Sequence, residues 1–267
     1  MITFEDWYKG LRLARKTVIG RKTVYLETVV STMDEARRLA SQGWEEGVIV
    51  AAGRQTRGRG RKGRVWVSEP GGLYFSIILR PPKEVLGILP LALGVAVARG
   101  IEDAVEVNIG LKWPNDLLVE DKKLGGILCE AYGEGKMEHV IAGVGLNVLN
   151  KPPEDGTSLL LVSGKVDVPF LICELVGRID KAYSLIRKGE SGRLLDDWKS
   201  KSVTLGRKVK ALLPGGKKIS GLAVGISDCG DLLLDVGGRT VALNSADVSI
   251  LDLKGVGYGK SNRKPQS

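Results

Sequence analysis

Arginines interleaved with glycines dominate the first quarter of this chain. Gly58-Arg59-Gly60-Arg61-Lys62-Gly63-Arg64-Val65-Trp66 lies in a segment, residues 54–64, that also holds Arg54 and Arg57 and contains no acid. Six cations on glycine-hinged backbone suit a compact polyanion such as a nucleoside triphosphate. Guanidinium forks pair with phosphate oxygens, and glycines let backbone N–H groups approach them. A second cluster, Lys112-Trp113-Pro114-Asn115-Asp116, reads as a rigid turn presenting polar groups. Lys122-Lys123-Leu124-Gly125-Gly126-Ile127 follows and is placed to fold back across it as a hairpin. A third, Gly143-Val144-Gly145-Leu146-Asn147-Val148, alternates glycine along a strand. That pattern marks either a close backbone approach to a ligand or a packing requirement.

Composition narrows the chemistry. The formal net charge is +9, of which residues 54–64 supply +6. Residues 254–267 supply +4 through Lys254, Lys260, Arg263 and Lys264, which leaves the remainder at −1. A protein that coats a nucleic-acid backbone spreads its charge along a face. Here the body is near neutral and aromatics make up only 5% of the chain, so no DNA partner is expected. The single histidine, His139, excludes a multi-histidine metal centre and is expected to be structural beside Val140 and Ile141. No metal-ligating set is predicted. Cys129, Cys173 and Cys229 form no C-x-x-C pair, which fits a reducing, cytoplasmic setting. The longest largely apolar run, 85–98, is interrupted by Pro90 and is too short to cross a bilayer.

Two phosphate-binding fingerprints are formally close and both fail. Gly58 to Gly63 satisfies G-x-G-x-x-G, but the residues after it do not read as the helix that a dinucleotide fold requires. Gly259-Lys260-Ser261 ends like a P-loop, but its first glycine would have to be Lys254.

The elements that must hold these clusters are legible in outline. Residues 1–21 read as an amphipathic lead-in and 22–28 as a strand. Ser31-Thr32-Met33-Asp34-Glu35 then opens a helix, with a Ser or Thr before acidic residues as its cap, that runs to about Gln42 and stops at Gly43. Residues 48–52 read as a buried strand. The basic segment 54–64 is expected to be a mobile loop, because its glycines disfavour helix and strand. Strands are expected at 65–68 and 73–79, joined by the Pro70-Gly71-Gly72 turn, then at 110–113, 117–119, 126–131 and 139–148. Helices are expected at 86–103, 170–187 and near 193–198. Five short strand-like runs between 209 and 253 predict a small β-barrel. The tail 254–267 is expected to be disordered.

Taken together and in this order, with Ser31-Thr32 ahead of them, the three clusters resemble the biotin protein ligases (biotin–[acetyl-CoA-carboxylase] ligases). The likeness covers roughly residues 22–253. It implies an α+β fold: a catalytic core like that of class II aminoacyl-tRNA synthetases, with a mostly antiparallel sheet and flanking helices, and a small SH3-like C-terminal barrel. The implied division is 1–21 lead-in, 22–200 catalytic domain, 201–253 SH3-like domain and 254–267 tail. About 21 residues precede the core, too few for the helix-turn-helix that some members carry, so a mono-functional ligase is expected. Carried over by position, Ser31, Thr32, Met33, Gln55, Arg59, Gly60, Arg61, Lys123 and Gly126 resemble the biotin-contacting residues. Arg61, Arg64, Trp66, Asn115, Asp116, Lys123 and Asn147 resemble the ATP and adenylate side. Met33 stands where the family commonly has asparagine.

The resemblance further implies ATP with Mg²⁺, biotin as substrate, a biotin carboxyl carrier protein as acceptor and a homodimer. Two half-reactions follow. Biotin and MgATP give biotinoyl-5′-AMP, and a carrier lysine then attacks the mixed anhydride. A carboxylate and a phosphate repel each other, so a cation must sit between them. Lys123 is assigned that catalytic role, with Arg59, Arg61, Arg64 and Mg²⁺ sharing the charge. Asp116 is read as a magnesium or ribose partner, and Trp66 as a stacking surface for adenine.

Overall fold

In a computed structural model the chain forms a mixed seven-stranded sheet, a small two-stranded hairpin, a five-stranded antiparallel sheet and six α-helices among the described residues. These are residues 1–14, 18–133, 138–244 and 246–251. The expectation of disorder for 254–267 lies outside them.

The large sheet contains β1 (Thr23–Val29), β2 (Ile49–Gln55), β5 (Leu73–Leu79), β6 (Gly110–Lys112), β7 (Asp116–Val119), β8 (Lys122–Tyr132) and β9 (His139–Leu146), in the order β1-β2-β5-β9-β8-β7-β6. Every neighbouring pair is antiparallel except β1 and β2. A parallel pair requires a crossover, and helix α2 (Thr32–Ser41) supplies it. The central strands β5 and β9 are apolar almost throughout because both of their faces are covered.

The two faces do different work. Helices α1 (Phe4–Leu13), α3 (Leu89–Ala104), α5 (Val168–Arg187) and α6 (Gly192–Lys201) lie over one face and share its core with Phe75, Ile77, Ala142 and Val144. Gly100 lets α3 approach α5: a Cβ there would stand 2.9 Å from the Leu175 Cα. Over the other face α2 packs on Val50, Ile78 and Ile141. Ser31 starts this helix, its hydroxyl accepting from the Met33 N–H at 3.3 Å. Gly43, at φ +84°, follows its end. The rest of that face is left for a site.

Beyond a short helix, α4 (Leu159–Ser163), the chain enters β10 (Lys208–Leu212), β11 (Lys218–Ile226), β12 (Leu232–Val236), β13 (Arg239–Leu243) and β14 (Asp247–Ile250), ordered β13-β12-β11-β10-β14. Among the described residues no ladder joins β13 to β14. Trp113 fixes this sheet to the core: its backbone N–H donates to Thr204 Oγ1 at 2.9 Å and its indole N–H to the Gly230 carbonyl at 3.0 Å.

Two of these expectations are corrected by the fold. The segment 54–64 is not irregular: β2 continues to Gln55, and β3 (Gly58–Arg59) pairs with β4 (Val65–Trp66) around a short 3-10 turn. Its glycines permit that turn rather than prevent pairing, with Gly63 at φ +73° and the Gly60 N–H donating to the Arg64 carbonyl at 2.7 Å. Residues 65–68 do not pair with 73–79. β4 folds back on β3, while β5 inserts between β2 and β9. Helix α4 carries no sequence signal, since five residues are too few to show a period.

Candidate active site

The face opposite the large helices holds a cavity of about 210 Å³. Its base is the middle of the sheet, its far wall is the turn 113–116, and the β3–β4 hairpin straps across it. Five cations line it (Arg59, Arg61, Arg64, Lys112, Lys123) against two carboxylates, Asp116 and Asp247. Such an excess of positive charge in a concave, partly desolvated space favours a polyanionic ligand.

Lys123 reaches this cavity through a fault in the sheet. Leu117 pairs with Gly125 but Leu118 pairs with Lys123, so Leu124 is the extra residue of a β-bulge. A strand alternates its side chains, so Lys123 and Gly126 would otherwise point to opposite faces. The bulge restores Lys123 to the face of Gly126 and Asp116. Its Nζ then lies 2.6 Å from Asp116 Oδ1 and 5.4 Å from the centre of the Trp66 ring.

The strap is tied down on two sides. Arg61 donates to the Ala246 carbonyl at 3.2 Å and to Asn115 Oδ1 at 3.5 Å. Arg64 donates to Asp247 Oδ1 at 2.7 Å, and Lys62 lies 3.4 Å from the other oxygen of that carboxylate. Arg59 turns the other way, to Asp34 and Glu130. Burial holds the Arg61 guanidinium below its ordinary value; Asp247 and Asp116 oppose that shift, and Arg64 adds to it.

Alternate glycines of β9 make room for side chains. A Cβ on Gly145 would stand 2.6 Å from Trp66 Nε1, and one on Gly143 would stand 2.9 Å from Met33 Sδ. Of the two readings of that alternation, these contacts are packing: Trp66 and Met33 fill the space and themselves line the cavity. Trp66 Nε1 is buried without a hydrogen-bond partner among the described residues. At one end Gln55 organises a polar patch. Its Oε1 accepts from the Thr32 N–H at 2.8 Å and hydroxyl at 3.1 Å, and its Nε2 donates to Ser68 Oγ at 2.8 Å. Leu128 and Met33 supply apolar wall.

Comparison with known proteins gives this cavity its context. Residues 25–147 match the biotin/lipoate A/B protein ligase family model, and residues 204–251 match the biotin protein ligase C-terminal domain. The chain is 37% identical over 235 residues to the biotin–[acetyl-CoA-carboxylase] ligase of Mycobacterium tuberculosis, covering 84% of this chain and 87% of that one. It belongs to the biotin protein ligase family. The bifunctional ligase/repressor BirA of Bacillus subtilis is 35% identical over 254 residues, 90% of this chain and 78% of its own. The biotin protein ligase of Aquifex aeolicus in complex with biotin and ATP superposes with a TM-score of 0.75 at 34% identity, over 86% of this chain and 98% of that one.

For this family member, the structure brings twelve of the site residues expected from sequence to one cavity: Thr32, Met33, Gln55, Arg59, Gly60, Arg61, Arg64, Trp66, Asn115, Asp116, Lys123 and Gly126. Two lie elsewhere. Ser31 is fully buried and caps α2 without lining the cavity. Asn147 is buried and lines a smaller pocket behind Trp66 and Lys123, its Oδ1 accepting from Asn150 Nδ2 at 3.0 Å. Asp116 is paired with Lys123.

Sequence reasoning missed Lys112, Asp247 and Val248, all of which line the cavity. Lys112 stands in the quoted Lys-Trp-Pro-Asn-Asp run, and its place in that run was the available signal. Asp247 and Val248 arrive from a separate sheet, and nothing local marks them. His139 is buried and stacks on Tyr132 with ring centres 5.5 Å apart.

Proposed function

We propose that this chain activates biotin with ATP and transfers the biotinyl group to a carrier lysine. In the first step a biotin carboxylate oxygen bonds to the α-phosphorus and pyrophosphate leaves. In the second the lysine amine bonds to the acyl carbon, the acyl–phosphate bond breaks, AMP leaves and the amine's proton is released. The observation that carries the reading is Lys123: its ammonium stands inside a cation-lined cavity, between Asp116 and the Trp66 ring. A compact cation there neutralises carboxylate and phosphate as they meet.

Thr32, Met33, Gln55, Arg59, Gly60, Arg61, Lys123 and Gly126 are proposed to face biotin, with Ser31 fixing Thr32 and Met33 from the helix cap. Arg61, Arg64, Trp66, Asn115, Asp116 and Lys123 are proposed to face the nucleotide, with Asn147 packed behind them. Lys112 joins the phosphate side.

The donor set does not make a resident metal site. Both lining carboxylates are already ion-paired, and among the described residues no group of three histidine, cysteine or acidic side chains converges. Mg²⁺ is therefore read as part of the MgATP substrate, screening its phosphates, as is usual for a cation held mainly by substrate oxygens.

The core is read as related to class II aminoacyl-tRNA synthetases, spanning 22–200 after a 1–21 lead-in. The C-terminal sheet, 201–253, is read as SH3-like. The acceptor is a biotin carboxyl carrier protein, the setting is cytoplasmic and the protein is a homodimer. Among the described residues no helix is long and apolar enough to cross a membrane.

Incubation with biotin, MgATP and a carrier domain, followed by a streptavidin blot, tests the whole reading. A labelled carrier is expected, and labelling must disappear when ATP is omitted. An unlabelled carrier with no pyrophosphate release overturns it. A second expectation concerns the strap. Asp247→Ala frees Arg64 and Lys62 and should raise the ATP KM about two- to fivefold, the scale of a partly exposed ion-pair cluster. Initial rates across ATP concentrations measure it, and an unchanged KM removes Asp247 from the nucleotide end.

A further inference from the structure

The strap's other tie runs through Arg59 to three side chains that do not themselves line the cavity. Arg59 leaves β3 toward the wall made by α2 and β8, and three side chains meet it there. Its Nη1 donates to Asp34 Oδ1 at 2.8 Å and to the Tyr132 hydroxyl at 3.4 Å, and its Nη2 donates to Glu130 Oε1 at 2.8 Å. The Tyr132 hydroxyl donates in turn to Glu130 Oε2.

This arrangement is built from separate parts of the fold. Asp34 occupies the first turn of α2, two residues beyond the Ser31 cap's neighbour Thr32. Glu130 and Tyr132 are two apart on β8 and so share a face with Leu128, which lines the cavity. The Tyr132 ring is held by Arg37, whose guanidinium carbon is 4.4 Å from its centre, and by the stacked His139. A planar guanidinium bridges two carboxylates better than any flexible cation, because its donors sit in a rigid fork. The tie therefore joins helix, sheet and strap at one point.

We propose that Asp34, Glu130 and Tyr132 are positioning residues that hold the strap closed through Arg59, and so set how long the adenylate stays inside. This rests on the adenylating reading of the cavity. A mixed anhydride survives only while water is kept from it. An Arg59 held by the protein's own carboxylates keeps its place without borrowing charge from the ligand. If those carboxylates instead competed with the ligand for Arg59, neutralising them would slow release.

The experiment preloads each protein with labelled biotin and MgATP in the presence of pyrophosphatase. It follows loss of bound adenylate and labelling of lysines on a bystander protein, serum albumin. The double variant Asp34→Asn/Glu130→Gln is expected to release adenylate about tenfold faster than wild type, with ATP–pyrophosphate exchange kept within about threefold. A purely structural defect would instead depress exchange. Tyr132→Phe, which keeps the ring contacts, should shift release in the same direction by about twofold. In an Arg59→Gly background the carboxylate changes should add nothing, because residues acting through one partner are not additive. Release unchanged or slowed in the double variant overturns the proposal, as does an additive effect in the Arg59→Gly background. A wild-type protein that forms no adenylate fails before this comparison begins, and overturns the adenylating reading and the proposal with it.

Discussion

Lys123→Ala is expected to lower biotin-dependent ATP–pyrophosphate exchange by at least about 100-fold, the scale of removing one preorganised group at a developing charge. The reason is positional. The bulge at Leu124 aims this lysine at the same space as Asp116 and Gly126, with the Trp66 ring beside it. Lys123→Arg should recover little. A planar fork replaces a compact ammonium that fits between a carboxylate and an indole face. Folding should survive either change. The Lys123–Asp116 pair is partly exposed, at 36% and 23% of the two side chains, and such pairs contribute up to about 1 kcal/mol. Exchange within threefold of wild type in Lys123→Ala, in protein with an unchanged thermal midpoint, would remove Lys123 from the chemistry.

Gly145→Ala should raise the ATP KM about tenfold or more, close to the effect of Trp66→Ala, since an aromatic–base stack contributes roughly 1–3 kcal/mol. The added methyl would lie 2.6 Å from Trp66 Nε1 and 2.7 Å from Cε2. Gly145 is paired on both sides, with Tyr74 and with Gly126, so the sheet cannot yield. Trp66 must move, and its strand carries the strap with it. Gly143→Ala offers a graded control. There the methyl would meet the Met33 side chain at 2.9 Å, and a flexible thioether can shift where an indole fixed in a hairpin cannot. Steady-state rates over a range of ATP at saturating biotin measure the series. Equal KM values for wild type, Trp66→Ala and Gly145→Ala would show that the indole does not face the nucleotide.

Much of this protein was legible from its residues alone. Local signals mark most helices and strands, because capping and periodicity are properties of a few neighbouring residues; β3 and α4 are too short to show them. The Ser31-Thr32 cap and Gly43 bound α2, and the runs at 73–79 and 139–148 read as strands, the second of which ends at Leu146 in the fold. The motifs also named most of the cavity, since Arg59, Trp66, Asn115 and Lys123 sit within short, unusual strings. Other features depended on long-range packing. Which strand Val65–Trp66 would pair with was a choice between two neighbours, and the closer return to Gly58–Arg59 won. Lys123's direction depends on a bulge that appears only when β8 is laid against β7. Asp247 reaches the strap from a sheet more than 180 residues away in sequence, and Arg59 finds Glu130 across 71 residues. Residue type states what a side chain can do, whereas register and packing fix where it points. Short motifs therefore announce the family's chemistry and most of its elements, whereas long-range packing chooses which charges meet.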